Sequence, residues 1–230
     1  MAYKKVSLED LVGPLNAVER KHAPSALYIS GDIKFCRDYP RVSVIGTRDV
    51  SSDGAKRARD LTRILVSQGI TVVSGLARGV DTCAHKGAVE YGGKTIAVLG
   101  TPLDESYPAE NADLQKLIMA EHLAVSQFSN DMAVRRNNFP IRNRTMALIS
   151  HATVIVEAGD GSGTLHQGWE ALRLGRPLFI MESLTRRNDL KWPKEMLEYG
   201  AQTLSRDKMD ILFEFLPQDG AGVELAELPF

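Results

Sequence analysis

Short apolar runs recur along the middle of the chain: "VSVIG" (42–46), "ITVVSG" (70–75), "KTIAVLG" (94–100), "LAVSQF" (123–128), "ATVIVEA" (152–158) and "RPLFIM" (176–181). They are rich in Val and Ile and show almost no polar alternation, the pattern of strands buried on both faces. The intervening stretches carry apolar residues at helical spacing and predict helices over 53–68, 79–91, 111–121, 139–150 and 165–174, several of them stopped by glycine, at Gly69, Gly92 and Gly175. Six strands alternating with helices predict an α/β protein with a mostly parallel sheet covered on both sides.

Outside this alternation the signals are weaker. "SLEDLVGPLNAVERK" (7–21) predicts a short helix capped by Ser7 and interrupted near Gly13 and Pro14, and "ALYISGD" (26–32) predicts a short strand ending in a turn. Beyond 182, "WPKEMLEYGA" (192–201) and "DKMDILFEFL" (207–216) predict two short helices packed on the edge. The expected organisation is an N-terminal helical segment over 1–25, a core over 26–216 and an acidic, flexible tail over 217–230.

Glycine ends several of the strands, in "VIGTR" (44–48), "VVSGLARGVD" (72–81), "VLGTP" (98–102) and, just after the fifth, "VEAGDGSGTLHQG" (156–168). In an open parallel sheet, ligands bind beyond the carboxyl ends of the strands. Glycine loops that lead into helix N-termini place backbone N–H groups where an anion can meet them. One such loop means little; four on one sheet edge point to a site. GxGxxG is absent after the first strand, no acidic residue closes the second, and Walker A is missing. NAD and ATP therefore fit poorly, and no cofactor is predicted.

Charge sharpens the picture. The chain of 230 residues has a formal net charge of −1, so a polyanion site must be local rather than spread over the molecule. Residues 132–156 hold Arg135, Arg136, Arg142 and Arg144 with no Asp or Glu. "FPIRNRTMALIS" (139–150) sets Arg142 and Arg144 at the start of a helix, where the N-terminal partial charge is already positive. Cations there call for an anion. Arg48, directly after Gly46 and Thr47, offers a fork suited to phosphate, or else a salt bridge to Asp49 or Asp81. His85 reads as a core histidine, and no carboxylate pair, Ser-His-Asp set or HExxH pattern stands out.

Cys36 and Cys83 form no CxxC motif, which argues against a disulfide framework or a metal site. The N-terminus lacks signal-peptide shape and no run of about 18 apolar residues occurs, so the cytoplasm is expected and a membrane partner is not.

"VSVIGTR", "VVSGLARGVDTCAHKGAVEYGGKTIAVLGTPLDESYPAEN" and "NNFPIRNRTMALISHATVIVEAGDGSGTL" together resemble the DprA/Smf family of DNA-processing proteins, over about residues 26–181, with a fainter echo in "MLEYGAQTL". The resemblance implies an extended Rossmann-like, three-layer α/β/α domain that binds single-stranded DNA, forms a homodimer and passes the strand to a RecA-type recombinase, chiefly in natural transformation. It implies no enzymatic activity. Many members carry a helical domain before the core and a winged helix after it; here one helix before the core is expected and no winged helix. Short members also resemble components of antiphage and toxin–antitoxin modules, which makes a cognate toxin an alternative partner.

In that family the Gly-Ser/Thr-Arg turn and the Phe-Pro-x-Arg-Asn segment form the DNA pocket. They match Gly46, Thr47 and Arg48, and Phe139, Pro140, Arg142 and Asn143. The expected DNA-binding set adds Ser74, Gly75 and Arg78 from the second glycine loop, Arg135, Arg136 and Arg144 from the arginine cluster, and Ser162, Gly163 and Thr164 from the last glycine loop. Phe139 either stacks on a base or staples the helix start.

A second class stands beside this one. "GDGSGTLHQGWEALRLGRP" (159–177) is similar to the nucleotide phosphoribohydrolases of the cytokinin-activating, lysine-decarboxylase-like family, whose motif is Pro-Gly-Gly-x-Gly-Thr followed by a glutamate. Asp160 breaks the first glycine pair here and Gln167 stands at the glutamate position, with Glu170 nearly a turn away. Hydrolysis then lacks an obvious acid or base, and the comparison extends more readily to a pocket for a free nucleotide.

Overall fold

The computed structural model describes residues 3–217; the tail expected over 217–230 lies, apart from Pro217, outside the described residues. The strands are β1 (Lys4–Val6), β2 (Leu27–Gly31), β3 (Arg41–Gly46), β4 (Thr71–Ser74), β5 (Thr95–Leu99), β6 (Leu123–Ser126), β7 (Ala152–Glu157), β8 (Leu178–Met181) and β9 (Gln202–Leu204). The helices are α1 (Leu8–Val12), α2 (Ala17–His22), α3 (Lys34–Arg37), α4 (Ser52–Ser67), α5 (Val80–Glu90), α6 (Ala112–Glu121), α7 (Asn138–Ile149), α8 (Thr164–Arg173), α9 (Glu182–Thr185), α10 (Trp192–Glu198) and α11 (Asp210–Glu214).

The strands form one sheet in the order β1-β2-β6-β5-β4-β3-β7-β8-β9. From β6 to β9 every pairing is parallel, while β2 runs antiparallel to both β1 and β6. This is the mostly parallel, helix-covered α/β sheet that the apolar runs predict. Successive side chains on a strand point to opposite faces, and the two cores divide accordingly. Val42, Val44, Val154 and Val156 pack under α4, α5 and α11 with Leu61, Leu65, Ala84 and Leu212. Ile45, Ile155 and Ile180 face the other way, with Met146 and Leu148 of α7, Ala171 of α8 and Met196 of α10.

Two strands were not expected. β1 and β9 have three residues each and sit at opposite edges of the sheet. Such short runs carry too little periodicity to separate strand from loop. The N-terminal region holds two helices rather than one, each with a reciprocal capping box, at Ser7 with Asp10 and at Asn16 with Glu19. Gly13 takes φ 86° and ends the first of them. Among the described residues, no helix is long and apolar enough to cross a membrane.

The sheet order fixes where a ligand belongs. From β3 the chain winds outward through β4, β5 and β6, then returns to lay β7 against the other side of β3 and winds outward again through β8 and β9. The loops after β3 and β7 therefore diverge, and open a crevice at the switch point.

Candidate nucleic-acid interface at the switch point

A cavity of about 530 Å³ occupies that crevice. One wall is the turn after β3, held from below by β7. The Thr47 N–H donates to the Glu157 carbonyl at 2.6 Å. Glu157 also receives the Ser51 hydroxyl at 2.7 Å and Arg57 Nη2 at 3.2 Å, which ties the far end of the turn to the same residue. Arg48 thus rides on a loop fastened at both ends. Its side chain is exposed and, among the described residues, makes no ion pair with Asp49, Asp81 or any other carboxylate. Its guanidinium carbon stands 5.8 Å from the centroid of the Phe139 ring. That is cation–π range, and it leaves the N–H fork available.

Phe139 belongs to the opposite wall, at the start of α7. Its ring lies against Gly100, where an added Cβ would stand 2.6 Å from Cδ1, and meets Tyr107 at 5.2 Å between centroids with a tilt of 49°. Tyr107 is exposed at 50%. Arg48, Phe139 and Tyr107 make a continuous cation–aromatic rim.

Helix α7 begins at Asn138, so Arg142 is its fifth residue and Arg144 its seventh; neither sits in the N-terminal turn as the sequence predicts. Proline is tolerated in a first helical turn, where its missing N–H has no intrahelical partner to lose. The helix therefore starts ahead of Pro140 and carries both arginines inward.

The consequences differ for the two. Arg142 is only 6% exposed. Its Nη1 donates to the carbonyls of Gly75 at 2.6 Å and Val98 at 2.8 Å, and its Nε donates to Asn143 Oδ1 at 3.1 Å. Behind it sits Asp81, buried, accepting the N–H groups of Gly75 at 3.1 Å and Ala77 at 3.3 Å through Oδ2. Burial pushes the Asp81 carboxyl upward and the Arg142 guanidinium downward, and each charge opposes the other's shift. Arg142 is a buried brace whose charge reaches the cavity from its floor. Arg144 leaves the cavity altogether, donating to Glu170 at 2.7 Å on the neighbouring helix.

Ten residues of the expected set line the cavity together: Gly46, Thr47, Arg48, Phe139, Pro140, Arg142, Asn143, Ser162, Gly163 and Thr164. The rest lie elsewhere. Ser74 is buried and donates to the Val44 carbonyl at 2.7 Å. Gly75 stands behind Arg142, and Arg78 pairs with Glu110 at 2.9 Å. Arg135 and Arg136 are exposed on the segment before α7, outside the cavity lining. Among the other lining residues, the polar side chains of Asp49, Asp81, His166 and Gln167 stand outside the expected set. Spacing offered a signal for Gln167 alone, one turn into the helix that follows the last glycine loop. His85 is a core histidine, with Nδ1 2.7 Å from Thr95 Oγ1.

A mostly parallel α/β sheet with an arginine–aromatic rim over a crevice at its switch point defines a protein of the Rossmann-like kind. A family model described as DNA recombination-mediator protein A matches residues 7–216, and the chain belongs to that family. It is 33% identical over 213 residues to DNA processing protein DprA of Streptococcus pneumoniae, covering 93% of this chain and 74% of that protein. It is 35% identical to protein Smf of Synechocystis over 83% of this chain and 48% of that one. Several curated relatives are therefore about twice as long as the matched region.

Solved structures agree. DNA processing protein A of Streptococcus pneumoniae superposes with a TM-score of 0.78 at 32% identity over 93% of this chain and 74% of that one. The protein from Helicobacter pylori, described for its single-stranded DNA binding mode, superposes with a TM-score of 0.77 at 28% identity, over 92% of this chain and 96% of that one.

Proposed function

We propose that this chain binds single-stranded DNA without regard to sequence and acts in DNA processing and recombination, without catalysing a reaction of its own. The carrying observation is Arg48, exposed and unpaired among the described residues, over the Phe139 ring at the mouth of the switch-point cavity. A guanidinium for the phosphate and a ring for the base are the two elements a sequence-tolerant single-strand site needs. Family membership and the single-strand binding described for the Helicobacter pylori relative support the reading.

The hydrolase comparison finds less support. Gln167 stands on the cavity wall where a carboxylate would be needed, and Glu170 accepts Arg144 at 2.7 Å and Arg173 at 2.8 Å. Burial alone would raise the Glu170 carboxyl, but the bonds from Arg144 and Arg173 outweigh it and the net shift is downward, which suits an ion pair and not a general acid.

From the resemblance, the same reading takes the chain as a cytoplasmic homodimer that passes its strand to a RecA-type recombinase or works with a cognate toxin. Fluorescence anisotropy of labelled oligo-dT against a duplex of equal length, at two salt concentrations, tests the binding itself. The single strand should bind tighter and lose affinity as salt rises; equal or absent binding of both would reject the proposal.

A further inference from the structure

The part of the cavity lining that α8 supplies contains a buried side chain that the phosphate and ring contacts do not use. Gln167, the fourth residue of α8, is 1% exposed and lines the cavity. Neither Nε2 nor Oε1 has a hydrogen-bond partner among the described residues. An unpaired buried carboxamide is costly, and native interiors rarely tolerate both ends unmet. Gln167 lies at the cavity lining and no hydrogen bond fixes its carboxamide among the described residues.

The chemistry of the carboxamide says what it accepts. A phosphate diester offers acceptors only. It could satisfy Nε2, but its oxygens would face Oε1 lone pair to lone pair. A group that satisfies Gln167 at both ends must present a donor and an acceptor side by side. Asn143 fits the same pattern less completely, because its Oδ1 already accepts from Arg142 Nε at 3.1 Å.

We infer that Gln167 receives the Watson–Crick edge of an unpaired base, with Arg48 on the phosphate and Phe139 on the stack. This rests on the single-strand reading and extends it from backbone to base. All four bases carry an adjacent donor and acceptor on that edge, and a carboxamide turned by half a rotation offers its own pair in either order. Recognition through Gln167 is therefore indifferent to sequence. It is not indifferent to strandedness, because in a duplex the same edges are already consumed by the partner strand. One neutral side chain thus adds, beside the stacking ring, a second reason for single-strand preference.

The test compares the intact protein on oligo-dT, on an oligomer of the same length carrying N3-methylthymine, whose Watson–Crick donor is blocked, and on an abasic oligomer. The wild type should bind oligo-dT about tenfold tighter than the N3-methyl oligomer, the scale of a good bidentate base contact. Gln167→Met, close in size but without the amide, should lose about the same factor on oligo-dT and nothing on the abasic chain. Equal wild-type affinity for dT and N3-methyl-dT would overturn the inference and leave the single-strand reading standing, whatever the variant does. Equal loss by Gln167→Met on dT and on the abasic chain would also overturn it. Absence of binding to any of the three would sink both readings.

Discussion

Arg142 Nη1 donates to the Gly75 carbonyl at 2.6 Å, joining helix α7 to the loop after β4, 67 residues away in sequence. A Cβ added at Gly75 would fall on that same guanidinium. The floor of the cavity is therefore a fitted pair, glycine below and arginine above, with Asp81 behind.

Gly75→Ala should accordingly act on stability first. The added methyl displaces Arg142 from both carbonyls, and overpacking of this kind costs about 1–3 kcal/mol. Arg142→Ala removes the cation next to buried Asp81 and should cost more, about 3–5 kcal/mol. Denaturant unfolding measures both. Wild-type midpoints for the two variants would show that the brace has no structural role.

Arg144→Ala should leave DNA affinity and its salt dependence unchanged, because Arg144 faces Glu170 and not the cavity. Its effect on stability should stay within about 1 kcal/mol, as for other part-exposed pairs. Anisotropy at two salt concentrations checks the first claim; a flattened salt slope would place Arg144 on the DNA path.

Phe139→Ala should weaken oligo-dT binding by about 1–3 kcal/mol, the range for one base–aromatic stack. Phe139→Tyr keeps the ring and should restore most of it. Because the ring also contacts Tyr107 and Gly100, a melting curve of each variant separates loss of stacking from loss of packing.

Stability should fall on mild acidification. Burial first, with Arg142 and His122 nearby, lowers the His85 pKa from 6.5 to about 3; burial first, then Arg41 and Arg176, lowers that of His151 to about 3 as well. In the unfolded chain both protonate near 6.5. Between about pH 6.5 and 3 the unfolded state thus holds more protons, so stability is intact above that window and declines through it. The slope approaches about 1.4 kcal/mol per pH unit for each histidine. His85 shows why: Thr95 Oγ1 donates to the Val72 carbonyl at 2.9 Å and so accepts from His85 Nδ1, while Nε2 has no partner to receive a second proton's bond. Urea midpoints at pH 7.5, 5.5 and 4.5 test this; constant midpoints would contradict it.

Much of this architecture was legible before any coordinates. Strands buried on both faces betray themselves by runs rich in Val and Ile without polar alternation, as β3, β5 and β7 do, and glycine at or just after their ends marks the edge where the cavity lies. Loop chemistry and the family motif both point to Gly46, Thr47, Arg48 and Phe139, and the structure gathers these four on one cavity lining. Arg142 and Arg144 show the limit. Two residues apart, they point to different places, one into the floor and one towards Glu170, and that follows from where α7 begins and from a helix 26 residues further on. Gln167 was noticed only as a missing glutamate; its unmet carboxamide is a property of packing, which no local pattern carries. β1 and β9 are held by neighbours rather than by their own three residues.

Arg48 is placed to meet a phosphate, and the salt dependence of binding reads this directly. On oligo-dT, log affinity should fall linearly with log salt, and Arg48→Ala should reduce the magnitude of the slope by about 0.7, one phosphate contact on a single strand, with its unfolding midpoint unchanged. Parallel slopes for the wild type and Arg48→Ala would contradict the account.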